Sequence, residues 1–228
     1  MTTCLITGAN RGIGLELARL YATSGTSVVA TARDPGKATA LRELAASTGK
    51  VEVLPLDVSD EASLAAFSKA VSGRAIDLLV VNSGVSGPRG PMSDAGNTHD
   101  AWARIFATNV AGAFMTVKAC DATLANGAKV AIISSIMASA GNANGSSYPY
   151  RASKAAVANV GANLAIELKP RGVAVGIYHP GWVKTDMGGP SAAIDVETSA
   201  SGLKQRFAAL TLATTGVFED YAGKPISF

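Results

Sequence analysis

The 228 residues suffice for one sizeable domain, and no compositional shift marks a second, so residues 1–228 read as a single unit. With 20 Lys and Arg scattered among 17 Asp and Glu, the formal charge of +3 forms no basic block, which argues against nucleic acid as a partner. No apolar run reaches the ~18 residues of a membrane span, and Gly8 and Asn10 interrupt the N-terminus before a signal-peptide core, so a cytoplasmic protein without membrane contact is expected.

Apolar residues make up 48% of the chain and charged ones 16%, as suits a parallel sheet buried on both faces. The first strand is predicted at Thr3–Thr7 and runs into Thr7-Gly8-Ala9-Asn10-Arg11-Gly12-Ile13-Gly14, with a helix over 12–24. Gly8, Gly12 and Gly14 let the backbone approach a pyrophosphate whose charge faces the helix amino end. Their spacing departs from the usual Gly-x-Gly-x-x-Gly, so the turn alone is also compatible with a plain tight connection. The second strand, Ser27–Ala32, ends Ala32-Arg33-Asp34. A carboxylate at that strand end takes the ribose diol of NAD, whereas an arginine accommodates the 2′-phosphate of NADP. Arg33 after Ala32, with Arg11 as a second cation, favours NADP(H); the alternative places Asp34 on the diol.

A helix over 36–47 precedes a strand at Val51–Leu54, which runs into Leu56-Asp57-Val58; a helix over 61–71 precedes the strand Ile76–Val81, which runs into Asn82-Ser83-Gly84. Both ends are small or polar turns where adenine and ribose would lie, although Asp57 equally suits the N-cap region of the next helix. Within a helix predicted over 99–125, Asn109 is a poor helix former amid alanine and valine, which points to a task for its amide or to a surface position. The strand Lys129–Ser134 ends Ser134-Ser135, where a hydroxyl could hold a substrate carbonyl oxygen.

The helix over 149–168 places Tyr150 and Lys154 at i and i+4, so a phenol and an ammonium share one face. A neighbouring cation pulls a phenol from its ordinary pKa of about 10 toward the working range, giving an acid–base pair. The strand Val173–Tyr178 leads into His179-Pro180-Gly181, a forced turn at the same edge with His179 at its rim, and a last strand is expected near Pro225–Phe228. Cys4 and Cys120 read as small core residues, and no metal spacing is present in the sequence. The alternation predicts an α/β, single-domain, Rossmann-type doubly wound sheet of about seven mostly parallel strands flanked by helices.

These motifs resemble, in order and over essentially the whole chain, the short-chain dehydrogenases/reductases. The segments Tyr150-Arg151-Ala152-Ser153-Lys154, 179–189 and 216–224 are similar to the C-factor and sniffer-type carbonyl reductases within that family. The resemblance implies NADPH-dependent reduction of an aldehyde or ketone to an alcohol. Tyr150 would then donate the proton, Lys154 would hold the nicotinamide ribose and lower the tyrosine pKa, Ser135 would orient the substrate, and Asn109 would hold a water in a relay to Lys154. Gly8, Asn10, Arg11, Gly12, Ile13 and Gly14 would surround the phosphates, Asp57 and Val58 the adenine, and Asn82, Ser83 and Gly84 the ribose and nicotinamide side. Pro180, Gly181, Val183 and Thr185 would close over the nicotinamide.

Val81 and Ser83 depart from the family's usual Asn-Asn-Ala-Gly. Ser135 stands fifteen residues before Tyr150, slightly farther than usual, which keeps Ser134 as an alternative. The loop after Thr185 is poor in bulky groups until Leu203 and Phe207, which suggests an open substrate pocket. Two other readings are an NADP(H)-binding signalling protein of the C-factor type with little turnover and an alcohol-oxidising enzyme that uses NAD. Alanine- and valine-rich faces over 99–125 and 149–168 suit either a homodimer or homotetramer contact or the sheet.

Overall fold

Strand and helix runs that alternate from end to end close into one seven-stranded sheet in a computed structural model, which describes residues 2–228. The strands are β1 (Thr3–Ile6), β2 (Ser27–Ala32), β3 (Val51–Pro55), β4 (Ile76–Val81), β5 (Leu124–Ile133), β6 (Ala174–His179) and β7 (Phe218–Asp220). Their order is β3-β2-β1-β4-β5-β6-β7, and every neighbouring pair is parallel. Parallel neighbours need crossovers, and these are α1 (Gly12–Thr23), α2 (Thr39–Thr48), α3 (Glu61–Val71), α4 (His99–Phe106), α5 (Gly112–Cys120), α6 (Tyr148–Leu168) and α7 (Val196–Ala209).

Successive strand residues point to opposite faces, so the sheet divides the core into two layers. Leu5, Leu79, Val130 and Val175 pack with α3, α5 and α6, whereas Cys4, Ile6, Val80, Ala131 and Tyr178 pack with α1, α2 and α7. The chain reverses its direction of progress across the sheet between β1 and β4, and the crevice at their carboxyl ends is where such sheets take ligands. Both cysteines are buried, and burial pushes the Cys120 thiol up to about 12. No helix of the described residues is long and apolar enough to cross a membrane.

Four predicted stretches differ. The helix expected over 99–125 is interrupted by a π turn at Ala107–Ala111, closed by the Gly112 N–H donating to the Ala107 carbonyl five residues back. Gly112 also meets another segment closely: a Cβ there would stand 2.7 Å from the Val58 carbonyl oxygen. The chain then enters β5 at Leu124, five residues ahead of Lys129, with a register irregularity where β5 meets Ile76 and Leu78. The strand expected at Pro225–Phe228 is displaced to Phe218–Asp220: Pro225 lacks the N–H that would extend a ladder and makes only a single bridge to Glu219. Finally, α7 lies within and beyond the Gly/Ala/Ser-rich stretch 188–202 that reads as a loop. Asp195 caps it by accepting from the Thr198 N–H at 2.7 Å, and Leu203 and Phe207 are buried against the sheet rather than facing a substrate.

Candidate active site

A cleft of about 760 Å³ opens at the carboxyl edge of the sheet. Gly8, Asn10, Arg11, Gly12, Ile13 and Gly14 border it from β1 and α1; Arg33, Asp57, Val58, Asn82, Ser83 and Gly84 border it from the ends of β2, β3 and β4. Tyr150, Lys154, Pro180 and Thr185 complete the far wall. Asn109, Ser135, Gly181 and Val183 stand behind that lining. Asn109 and Ser135 are buried, as is Val183, which bridges to Ile194.

The glycine turn is shaped by close approach. Gly8 has φ +64, and a Cβ on Gly14 would stand 2.5 Å from the Gly8 carbonyl oxygen, so a side chain there would force the turn open. Three residues outside it hold it in place. The Ala9 N–H donates to the Thr31 carbonyl at 2.8 Å; Asn82 Nδ2 donates to the Thr7 and Gly8 carbonyls at 2.9 and 3.1 Å; Thr7 Oγ1 accepts from the Asn82 and Ser83 N–H groups at 3.0 and 3.1 Å. The Asn82 amide therefore braces the turn instead of being offered to a ligand.

At the β2 end, Arg33 is exposed on the cleft wall, and Lys37, which sequence reasoning missed, stands beside it. Asp34 is occupied: it accepts from the Gly36 N–H at 3.0 Å, caps the turn Pro35–Lys37 and pairs with Lys37 at 3.1 Å, contacts that hold its carboxyl below the ordinary range. Across the mouth, Arg11 pairs with Asp186 at 2.6 Å.

The reactive end is built on α6. Tyr150 is half-buried, Lys154 is 5% exposed, and the ammonium lies 5.7 Å from the phenol ring centroid. Lys154 Nζ donates to the Ile133 carbonyl at 3.0 Å. Burial pushes Lys154 down to about 8 and Tyr150 up to about 12. This reverses the expectation that Lys154 pulls the phenol down, because here desolvation outweighs every attraction and the phenolate is favoured by Ser135 and then by the charge of Arg89.

The two serines part company. Ser134 Oγ donates to the Lys154 carbonyl at 2.8 Å and is spent inside the fold, although the residue borders the cleft. Ser135 is on the phenol's side; its Oγ accepts from the Met137 N–H at 3.1 Å, and no hydrogen bond of ordinary geometry joins it to the Tyr150 hydroxyl.

In the π turn, Asn109 Oδ1 accepts from the Val85 N–H at 2.8 Å, and Nδ2 donates to the Val85 carbonyl at 2.9 Å and to Ser153 Oγ at 3.0 Å. Both amide hydrogens are in use, so only the second lone pair of Oδ1 is free for a water. His179 does not border the cleft; burial pushes its imidazole down to about 4. Thr31, Lys37, Arg89, Thr108 and Ser153 belong to the site or its supports without any sequence signal, save that Lys37 follows Asp34 at i+3 and Ser153 adjoins Lys154.

Residues 2–194 match the model of the short chain dehydrogenase family. Over 164 residues the chain is 35% identical to the C-signal of Myxococcus xanthus, covering 71% of this chain and 98% of that one. The structure is similar to that of carbonyl reductase Sniffer of D. melanogaster, with a TM-score of 0.92 and 29% identity over the whole of both chains. It is also similar to an NADPH-bound carbonyl reductase from chicken fatty liver, with a TM-score of 0.91 and 28% identity, covering 100% of this chain and 98% of that one.

Proposed function

Because the chain belongs to the short-chain dehydrogenase family, we propose that it is an NADPH-dependent carbonyl reductase that converts a small aldehyde or ketone to an alcohol, with Tyr150 as proton donor. The observation that carries this reading is a half-buried phenol and a buried ammonium 5.7 Å from its ring, on one helix face at the end of the cleft. The residues present fit NADP(H). The turn at Gly8 and Gly14 has no room for side chains, and Arg11, Arg33 and Lys37 supply cations along the same wall, where a 2′-phosphate needs one. The NADPH-bound relative from chicken supports the same choice.

When bound, the coenzyme supplies the hydride. Tyr150, a phenol far above pH 7, gives its proton to the carbonyl oxygen as the alcohol forms. Ser135 holds that oxygen from the same side, and Lys154, charged below about pH 8, would hold the nicotinamide ribose. Ser134, Asn109 and Ser153 keep β5, the π turn and α6 in register beneath these groups.

The test is oxidation of NADPH and NADH against a panel of aldehydes, ketones and diketones, with Tyr150→Phe beside the natural chain. Loss of a general acid costs on the order of 10²–10⁴ in rate, and a variant that keeps more than about a tenth of kcat removes Tyr150 from that role. The likeness to the C-signal favours a second reading, an NADP(H)-binding signalling protein with little turnover. Tight NADPH binding with no turnover across the panel would select it. Exposed Trp102, Phe114 and Ile166 on α4, α5 and α6 support self-association as a dimer or tetramer, which sedimentation measures.

A further inference from the structure

Arg89 is an exposed cation at the reactive end of the molecule that the mechanism above leaves unused. It lies on the long connection from β4 to α4, and its backbone is fixed to the start of the Tyr150 helix: Ser147 donates its N–H to the Gly90 carbonyl at 3.2 Å and its Oγ to the Arg89 carbonyl at 3.4 Å. Ser147 does so with φ 55, the one non-glycine among the described residues in the left-handed region, a conformation that persists only where its surroundings hold it. The anchored Arg89 reaches across to the Met187 carbonyl, and Met187 borders the cleft.

That carbonyl is a neutral partner. Among the described residues no carboxylate pairs with Arg89: Asp94, on the same loop, accepts from the Gly90 and Gly96 N–H groups, and Asp186, next to Met187, pairs with Arg11. The charge of Arg89 nevertheless reaches the Tyr150 phenol. An exposed guanidinium without a carboxylate partner, on a fixed backbone and bonded to a residue of the cleft wall, is suited to a planar anion, because its fork can exchange one neutral acceptor for two charged oxygens.

We propose that Arg89 is a specificity-determining residue that receives an anionic group, carboxylate or phosphate, carried by the carbonyl substrate. This rests on the carbonyl reductase reading and names its substrate class: aldehydes or ketones bearing an anion, held with the carbonyl at Tyr150 and the anion at Arg89.

The experiment compares kcat/KM with NADPH for 4-formylbenzoate, 4-formylphenyl phosphate and the neutral methyl 4-formylbenzoate, in the natural chain and in Arg89→Met and Arg89→Lys, with folding checked by thermal unfolding. The expected result is that at least one anion is preferred over the ester, that Arg89→Met lowers this ratio about ten- to a hundred-fold, the range for a charge-assisted hydrogen bond, and that Arg89→Lys keeps part of it. The anion showing the larger preference identifies the source. An anion-to-ester ratio that Arg89→Met leaves unchanged overturns the proposal, including the case in which all three rates fall together because Arg89 only straps two loops. If none of these aldehydes nor benzaldehyde is reduced, the carbonyl reductase reading falls instead. Calorimetric titration of benzoate and phenyl phosphate then decides Arg89 by itself: binding lost in Arg89→Met supports it, and equal or absent binding overturns it.

Discussion

The side chain of Asn109 is hydrogen-bonded to Ser153 Oγ at 3.0 Å, and that hydroxyl in turn donates to the Tyr150 carbonyl at 2.8 Å. The contact joins the π turn to the helix that carries Tyr150 and Lys154, and both partners are almost fully buried, Asn109 at 2% and Ser153 at 0% exposure. Ser153→Ala leaves a buried amide hydrogen without a partner, which costs about 1–3 kcal/mol. For a domain of this size that lowers Tm by roughly 2–12 °C. A Tm within about 1 °C of the natural chain, read by calorimetry, would show that the hydroxyl is dispensable.

Ser134→Ala and Ser135→Ala should part in turnover rather than in stability. Ser134 donates inward to the Lys154 carbonyl, so its loss costs about 1 kcal/mol of stability and spares most of kcat. Ser135 is on the phenol's side, so its loss lowers kcat by on the order of 10²-fold, the effect of removing one donor from an oxyanion, beside a loss of about 1 kcal/mol from the hydrogen bond it accepts from Met137. Parallel kinetics and unfolding on the two variants check this, and a larger kcat loss at Ser134 would move the role by one residue.

Coenzyme preference should rest on Arg33. A charge-assisted contact to a 2′-phosphate contributes roughly 1.5–3 kcal/mol, or about ten- to a hundred-fold in favour of NADPH. Arg33→Ala should raise KM for NADPH by that factor and leave KM for NADH almost unchanged. Because Arg33 is exposed, added salt should weaken NADPH binding more than NADH binding. Equal effects on both coenzymes would reduce Arg33 to a surface residue and direct attention to Lys37, since Asp34 is already engaged.

Lys154 should be a stability liability that the mechanism requires. Burial lowers its pKa from 10.5 to about 8. At 1.36 kcal/mol per unit, this is a cost of roughly 3 kcal/mol while the ammonium is charged. Between pH 8 and 10.5 the unfolded chain holds a proton that the folded chain has released, so stability from this group rises with pH through that window and is lost as pH falls through about 8. Lys154→Met forfeits the hydrogen bond to the Ile133 carbonyl, about 1 kcal/mol, yet should still unfold at a higher temperature at pH 7. The gain, roughly 1–2 kcal/mol, should shrink toward pH 10 while turnover is lost throughout. A variant less stable than the natural chain at pH 7 would mean that the ammonium is better solvated than its burial implies.

Much of the architecture was legible in the residues because it follows from local periodicity. Strand runs such as Ser27–Ala32 and Ile76–Val81, helices such as 61–71, and the glycine turn after Thr7 each declare themselves within a few positions, and a parallel sheet follows from their alternation. The i, i+4 spacing likewise brought Tyr150 and Lys154 to one face before any tertiary contact was known. Where the local signal was weak or misleading, the reading slipped. Glycine, alanine and serine concealed α7, and a nearly continuous helical pattern concealed the π turn, which depends on Gly112 packing closely against Val58.

What the sequence determined by itself, then, was the sheet, the edge at which its ligand site lies and the reactive pair, because each is a repeat distance of the backbone. Only the tertiary structure decided which partner each polar group takes: Ser134 for a helix carbonyl and Ser135 for the phenol's side, Asn82 for the glycine turn, Lys154 for Ile133, Arg89 for Met187. Those partners come from segments up to 98 residues away, and burial sets the pKa of Tyr150 and Lys154 against what their adjacency alone would give. Periodicity is a property of neighbours along the chain, whereas desolvation and hydrogen-bond pairing are properties of neighbours in space.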